Sequence, residues 1–213
     1  MRPASFAVLF AVLLGLTGHE LLAQVAPDAP RLISPRGSGG LGVHWVRSDA
    51  LPGAGPAVLV TWATPGLPDG VRFRGGVGQG AATTNAFFGG LDLQAPLRRA
   101  PAAGGVDVDW QSGFGVSIGE YTLLTLPVGL TGGVSWTSGS LWLAPYVTGG
   151  VAADMRLGGG APAREFVVAT VIDVGLDLSL DEDREFVLRL AAGLGDRRAV
   201  SFGLAYRMGR LAR

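Results

Sequence analysis

The sequence predicts an all-β fold, closed into an antiparallel up-and-down transmembrane β-barrel of ten strands. Three observations lead there. From about residue 41 onward, apolar residues alternate with small or polar ones at a period of two. Glycine and proline, 35 and 13 of 213 residues, interrupt every window long enough for a helix. Charged residues make up only 16% of the chain, against roughly 25% in an ordinary soluble domain. Eight strands with an N-terminal extension is the alternative arrangement.

The chain opens with Arg2 and an apolar run from Phe6 to Leu16, which Thr17, Gly18, His19 and Glu20 end, and a cleavage site is expected near Ala23 or Gln24. That is the layout of a secretory signal peptide, assigned to 1–24 and expected to be cleaved. The run is too short to cross a bilayer as a helix, which needs roughly 20 apolar residues. Residues 25–40 contain Pro, Gly and Ser and are expected to be irregular. The barrel is assigned to 41–208 and a short tail to 209–213.

Two weaker strands come first, 41–47 and 57–64. Strands at 70–80 and 85–95 meet near Ala81 to Thr84. In 106–118, Val106, Val108, Trp110, Phe114, Val116 and Ile118 share one face, and Asp107, Asp109, Gln111, Gly113, Gly115 and Ser117 share the other. Strands 123–136 and 141–155 flank the turn Thr137-Ser138-Gly139-Ser140. The clearest alternation is 165–180, where Phe166, Val168, Thr170, Ile172, Val174, Leu176, Leu178 and Leu180 take the even positions. The turn Asp181-Glu182-Asp183-Arg184 leads to 185–195, and Asp196-Arg197-Arg198 leads to 199–208. Connections this short suit an antiparallel meander.

Alternation alone fits a soluble or a membrane barrel. The less apolar face decides. It is mainly Gly, Ala and Ser with scattered ions, which suits a narrow interior. The apolar face is continuous and carries Trp110, Trp136, Phe166, Phe202 and Tyr206, which suits lipid with aromatics toward the interfaces. The blocks RGGVGQG…AFFGGLDL (74–93), VDVDWQSGFGVSIGEY (106–121), LPVGLTGG (126–133), APYVTGGVAADM (144–155) and GDRRAVSFGLAYRM (195–208) resemble the small bacterial outer-membrane β-barrel domain proteins. The resemblance covers roughly 70–208 and is one of pattern. It implies the cell outer membrane of a Gram-negative-type envelope, porin-like architecture, outer-membrane lipid as surroundings and the barrel-insertion machinery as a partner. Many such proteins end on an aromatic residue; this chain runs past Tyr206 to Arg213.

Chemistry is sparse. Cysteine is absent, and all 17 basic residues are arginine. Disulfides, thiolate nucleophiles and a P-loop lysine are therefore excluded. Zero formal net charge gives no reason to expect a nucleic-acid partner. Gly76 to Ala81 fits a dinucleotide glycine pattern, but the residues after it read as strand, not as the helix start that would hold pyrophosphate. Asp181-Glu182-Asp183 lacks the spacing of a calcium loop. No cofactor, metal or catalytic site is expected. His44, the only histidine after the signal, could approach Ser201 across a closed barrel. Parity puts that serine inside, away from lipid substrates, so a lipid-modifying enzyme is the weaker reading.

Parity sends Arg72, Arg74, Asp92, Asp107, Asp109, Asp154, Glu165, Asp173, Asp177, Arg189 and Arg207 inward, four arginines against seven carboxylates. Buried charges must be paired or wet. The expected role is structural or interactive, with a largely filled, ion-paired lumen. The alternative is a narrow pore for small or apolar solutes, in which surplus carboxylates would favour cations. The N-terminal layout yields the first prediction: mass spectrometry of the exported protein should find an N-terminus between about residues 22 and 27. Intact Met1 in the mature protein would contradict the signal assignment.

Overall fold

The computed structural model describes residues 34–35, 40–48, 55–63, 70–79, 85–101, 105–158 and 164–207. The signal segment 1–24, most of 25–40 and the tail 209–213 lie outside the described residues. The strands are β1 (Leu41–Ser48), β2 (Pro56–Trp62), β3 (Val71–Gln79), β4 (Asn85–Arg98), β5 (Asp107–Ile118), β6 (Thr122–Gly133), β7 (Trp136–Ser138), β8 (Leu141–Leu157), β9 (Arg164–Ser179), β10 (Phe186–Leu194) and β11 (Arg198–Tyr206). Among the described residues there is no helix.

Ten strands form a closed antiparallel ring. Each pairs with its neighbours in sequence, β6 pairs directly with β8, and β1 pairs with β11 from Leu41↔Tyr206 to Ser48↔Ala199. The three-residue β7 stands outside the ring and extends the β6–β8 hairpin. The sequence expectation of one strand over 123–136 is thereby refined: pairing with β5 and β8 stops at Gly133. The turn then tightens to Gly139-Ser140, with Gly139 at φ +59°, a conformation that glycine adopts at little cost.

Registers around the ring fix the stagger. From His44, opposed pairs lead through Leu59, Gly76, Phe88, Ser117, Leu123 and Arg156 to Glu165 on β9. The other way round they lead through Gly203 and Arg189 to Asp177 on β9. The two arrivals differ by twelve residues, which is the shear of the barrel. Shear of this size tilts strands by about 35–45°. Ten strands about 4.8 Å apart at that tilt give a backbone radius of about 10 Å, most of which inward side chains can fill.

Closure commits every strand residue to one side. Outward positions are apolar and exposed, including Val43, Val60, Phe114, Val128, Val151, Ile172 and Leu204. Exposed charges among the described strand residues are Arg47, Arg98 and Arg198, each at or next to a strand end. Near the end where β1 begins, aromatic rings pair on the outside: Trp62 with Phe73 at 6.3 Å and Phe186 with Tyr206 at 5.2 Å. Such an exterior is the inverse of a soluble protein's. Leu204 is 51% exposed, and Ala205 is buried inside. In lipid, Leu204→Arg should therefore cost about 2–4 kcal/mol if the site lies near mid-bilayer. Ala205→Arg should fail through crowding whatever the lipid. Urea titration in vesicles of two thicknesses reads both. A Leu204→Arg barrel as stable in lipid as the parent would contradict lipid contact.

Candidate functional site: the barrel lumen

The lumen is built by letting large inward side chains stand over glycines on the next strand. Tyr146 lies opposite Gly175, His44 opposite Gly203 and Phe88 opposite Gly76. A methyl group added at any of the three glycines would overlap the facing ring. This explains the glycine-rich inner face: the glycines provide space for Tyr146, His44 and Phe88. It also disposes of the dinucleotide pattern, since Gly76 is a lumen niche inside β3.

Ion pairs thread this filling. Asp177 and Arg189 face each other directly across β9 and β10. Arg189 Nε is 3.5 Å from Asp177 Oδ1, with side-chain exposures of 2% and 0%. Arg74 Nη2 reaches Asp92 Oδ1 at 3.3 Å, and half-buried Arg72 sits opposite Asp92. Asp109 accepts from Gln94 Nε2 at 2.6 Å and is bridged by Arg99. Asp107 Oδ1 accepts from the Ala100 amide at 2.8 Å. Asp173 is buried opposite Thr148 and Gly193. Toward the other end, Asp154 pairs with Arg197, and Arg156 Nη1 lies 3.7 Å from Glu165 Oε2. Glu165 keeps 40% exposure there.

Ten of the eleven residues assigned inward therefore line the lumen or its rim. Arg207 does not. It is exposed, one residue beyond the end of β11, because the last strand is shorter than the alternation suggested. Three arginines absent from that assignment, Arg99, Arg156 and Arg197, supply partners instead. The surplus of three carboxylates shrinks to one, and the electrostatic case for cation preference weakens with it. Arg197 lies in the β10–β11 turn, where burial lowers its guanidinium to about 10, still charged at neutral pH. In the β5–β6 turn, burial raises the Tyr121 hydroxyl to about 12. The Arg156 guanidinium stacks over that ring at 4.6 Å.

Neutral polar groups complete the interior. Gln111 Nε2 donates to Thr131 and, at 3.2 Å, to Thr148 Oγ1, while Thr131 and Thr148 share a 2.8 Å hydrogen bond. His44 Nε2 lies 3.2 Å from Thr61 Oγ1. Ser201 is opposite Val46, not His44, and neither Ser201 Oγ nor His44 Nδ1 has a hydrogen-bond partner among the described residues. No Ser–His pair is thus assembled at this position. Asp181 is also accounted for: its carboxylate accepts from the Asp183 and Glu185 amides at 3.1 and 2.6 Å, which makes it a turn former. Near the end where β1 begins, Trp142 is 2% exposed, and Arg184 covers its ring at 4.9 Å while bonding Thr137 Oγ1 at 3.1 Å. Ser34, ahead of β1, is buried with its Oγ donating to Asp177 Oδ2 at 3.3 Å.

Fold and site together define a closed ten-strand β-barrel with an apolar exterior and an ion-paired interior. The sequence matches no known family profile and no curated protein. Among solved structures, a KdgM porin aligns over 78% of this chain and 98% of that one, at 8% identity and a TM-score of 0.37.

Breaking one member of the Asp177–Arg189 pair leaves the other charge buried. Asp177→Ala or Arg189→Ala should each cost roughly 3–5 kcal/mol, and the double change should cost less than the two together. Reversible unfolding of the three variants in vesicles measures the coupling; additive losses would contradict the pairing.

Proposed function

We propose that this protein is an outer-membrane β-barrel with no permanent pore, serving a structural or interaction role in the cell envelope. Its apolar exterior would face outer-membrane lipid, and the barrel-insertion machinery would place it there. Nine residues of β11, rising about 3.3 Å each and tilted about 40°, span about 23 Å. That matches the roughly 25 Å apolar band of such barrels. The observation that carries the closed reading is the water-excluded Asp177–Arg189 pair, set among Tyr146, Trp142 and His44, all buried. Short connections support a limited surface role: the described β5–β6 and β10–β11 turns are three residues each.

A narrow pore is the second reading. Ser117 Oγ, Thr125 Oγ1 and Ser201 Oγ are buried polar atoms without a hydrogen-bond partner among the described residues. Groups of this kind favour a wetted interior. Planar-bilayer recording of the purified full-length protein decides between the two. The closed barrel should show no steady single-channel steps in molar salt, and a steady ohmic conductance would establish the pore.

A further inference from the structure

Most of the lumen filling belongs to the wall, but one part does not. Ser34 and Pro35 precede β1 and are both buried. The Ser34 amide and hydroxyl point at Asp177 Oδ2, at 3.5 and 3.3 Å. Pro35 lies against Gly133 on β6, where an added Cβ would come within 2.8 Å of its Cδ. Gly40, by contrast, is fixed beside β2 and β11, its carbonyl accepting from the Ala63 amide at 3.0 Å. β6 and β1 are five strands apart in a ring of ten, so they stand on opposite walls. Ser34 and Pro35 thus sit across the lumen from the strand they lead into.

We propose that Ser34 and Pro35 are a tethered, reversible plug that seals the lumen at the Asp177–Arg189 pair. The proposal rests on the closed-lumen reading and adds what closes it and how it opens. The anchor is suited to release. The amide contact, at 3.5 Å, is longer than an ordinary N–H···O bond of about 2.9–3.0 Å, and the hydroxyl contact, at 3.3 Å, is longer than an ordinary O–H···O bond of about 2.7–2.8 Å. Asp177 keeps its counter-charge on Arg189 when the plug leaves, so withdrawal costs the carboxylate the Ser34 hydrogen bonds but not its ion pair. Two small side chains also lose little apolar contact on leaving.

The chain has no cysteine, so Ser34→Cys carries a single thiol. In vesicles of phosphatidylcholine and phosphatidylglycerol, a charged maleimide should label that thiol at least about 100-fold more slowly than in the urea-unfolded chain, as expected for a site reached only through local opening. Ser34→Glu sets a carboxylate against Asp177, and like charges at that distance repel. It should raise ion leak about tenfold or more over the parent, with β-sheet circular dichroism unchanged. The labelling measurement stands even if Ser34→Glu does not fold. Labelling at the unfolded rate, or a folded Ser34→Glu barrel as tight as the parent, would overturn the plug. The failures separate: a parent barrel that conducts defeats the closed-lumen reading and the plug together, whereas a tight parent barrel whose Ser34→Cys variant labels at the unfolded rate defeats the plug alone.

Discussion

A sheet that pairs its last strand with its first has no free edge, and it has only one inside. In this protein the β1–β11 pairing imposes both conditions. It pairs the backbone groups that an open sheet edge would leave free. It also makes the period-two alternation of each strand a strict division between lumen and exterior. The twelve-residue stagger then decides which side chains meet. A slip of one residue at closure would turn Asp177 and Arg189 outward and Leu176 and Leu190 inward.

Polar content inside the barrel follows from that division. Ten strands leave an interior too narrow for bulky groups on every strand and too wide to be filled by alanine alone. The chain answers with pairs in which one strand contributes a ring or a long arginine and the next contributes glycine or a carboxylate. Tyr146 over Gly175 and Arg189 beside Asp177 occupy neighbouring levels of β9. Van der Waals filling and charge pairing are therefore adjacent and interdependent, as buried polar networks generally are.

How much of this was legible in the sequence depended on whether the controlling interaction was local. Strand parity was legible, because alternation is written into each segment, as 165–180 shows. Strand ends were not. Stopping β8 at 155 hid Arg156, one residue further on, with the correct inward parity. Extending the last strand to 208 placed Arg207 inside, although β11 stops at Tyr206. Arg99 follows the register shift between Pro96 and Arg98, and such bulges leave no alternation to read. Register between strands was partly legible: Asp177 and Arg189 flank a tight turn, so their meeting could be anticipated. The His44–Thr61 contact depends on how β1 and β2 register, and the connection between them carries no pattern that sets it. Ser34 at Asp177 is separated by 143 residues and had no signal at all.

The barrel is inverted, apolar outward and filled inward, and tryptophan reports on this directly. Of the five tryptophans, Trp62 is exposed on the outside and Trp142 is buried within. Single-tryptophan variants carrying one or the other, reconstituted in brominated phosphatidylcholine, separate lipid contact from lumen burial. Trp62 should be strongly quenched by the brominated chains, and Trp142 should be little quenched by either the lipid or aqueous iodide. Equal quenching of both by lipid, or of Trp62 by iodide alone, would contradict it.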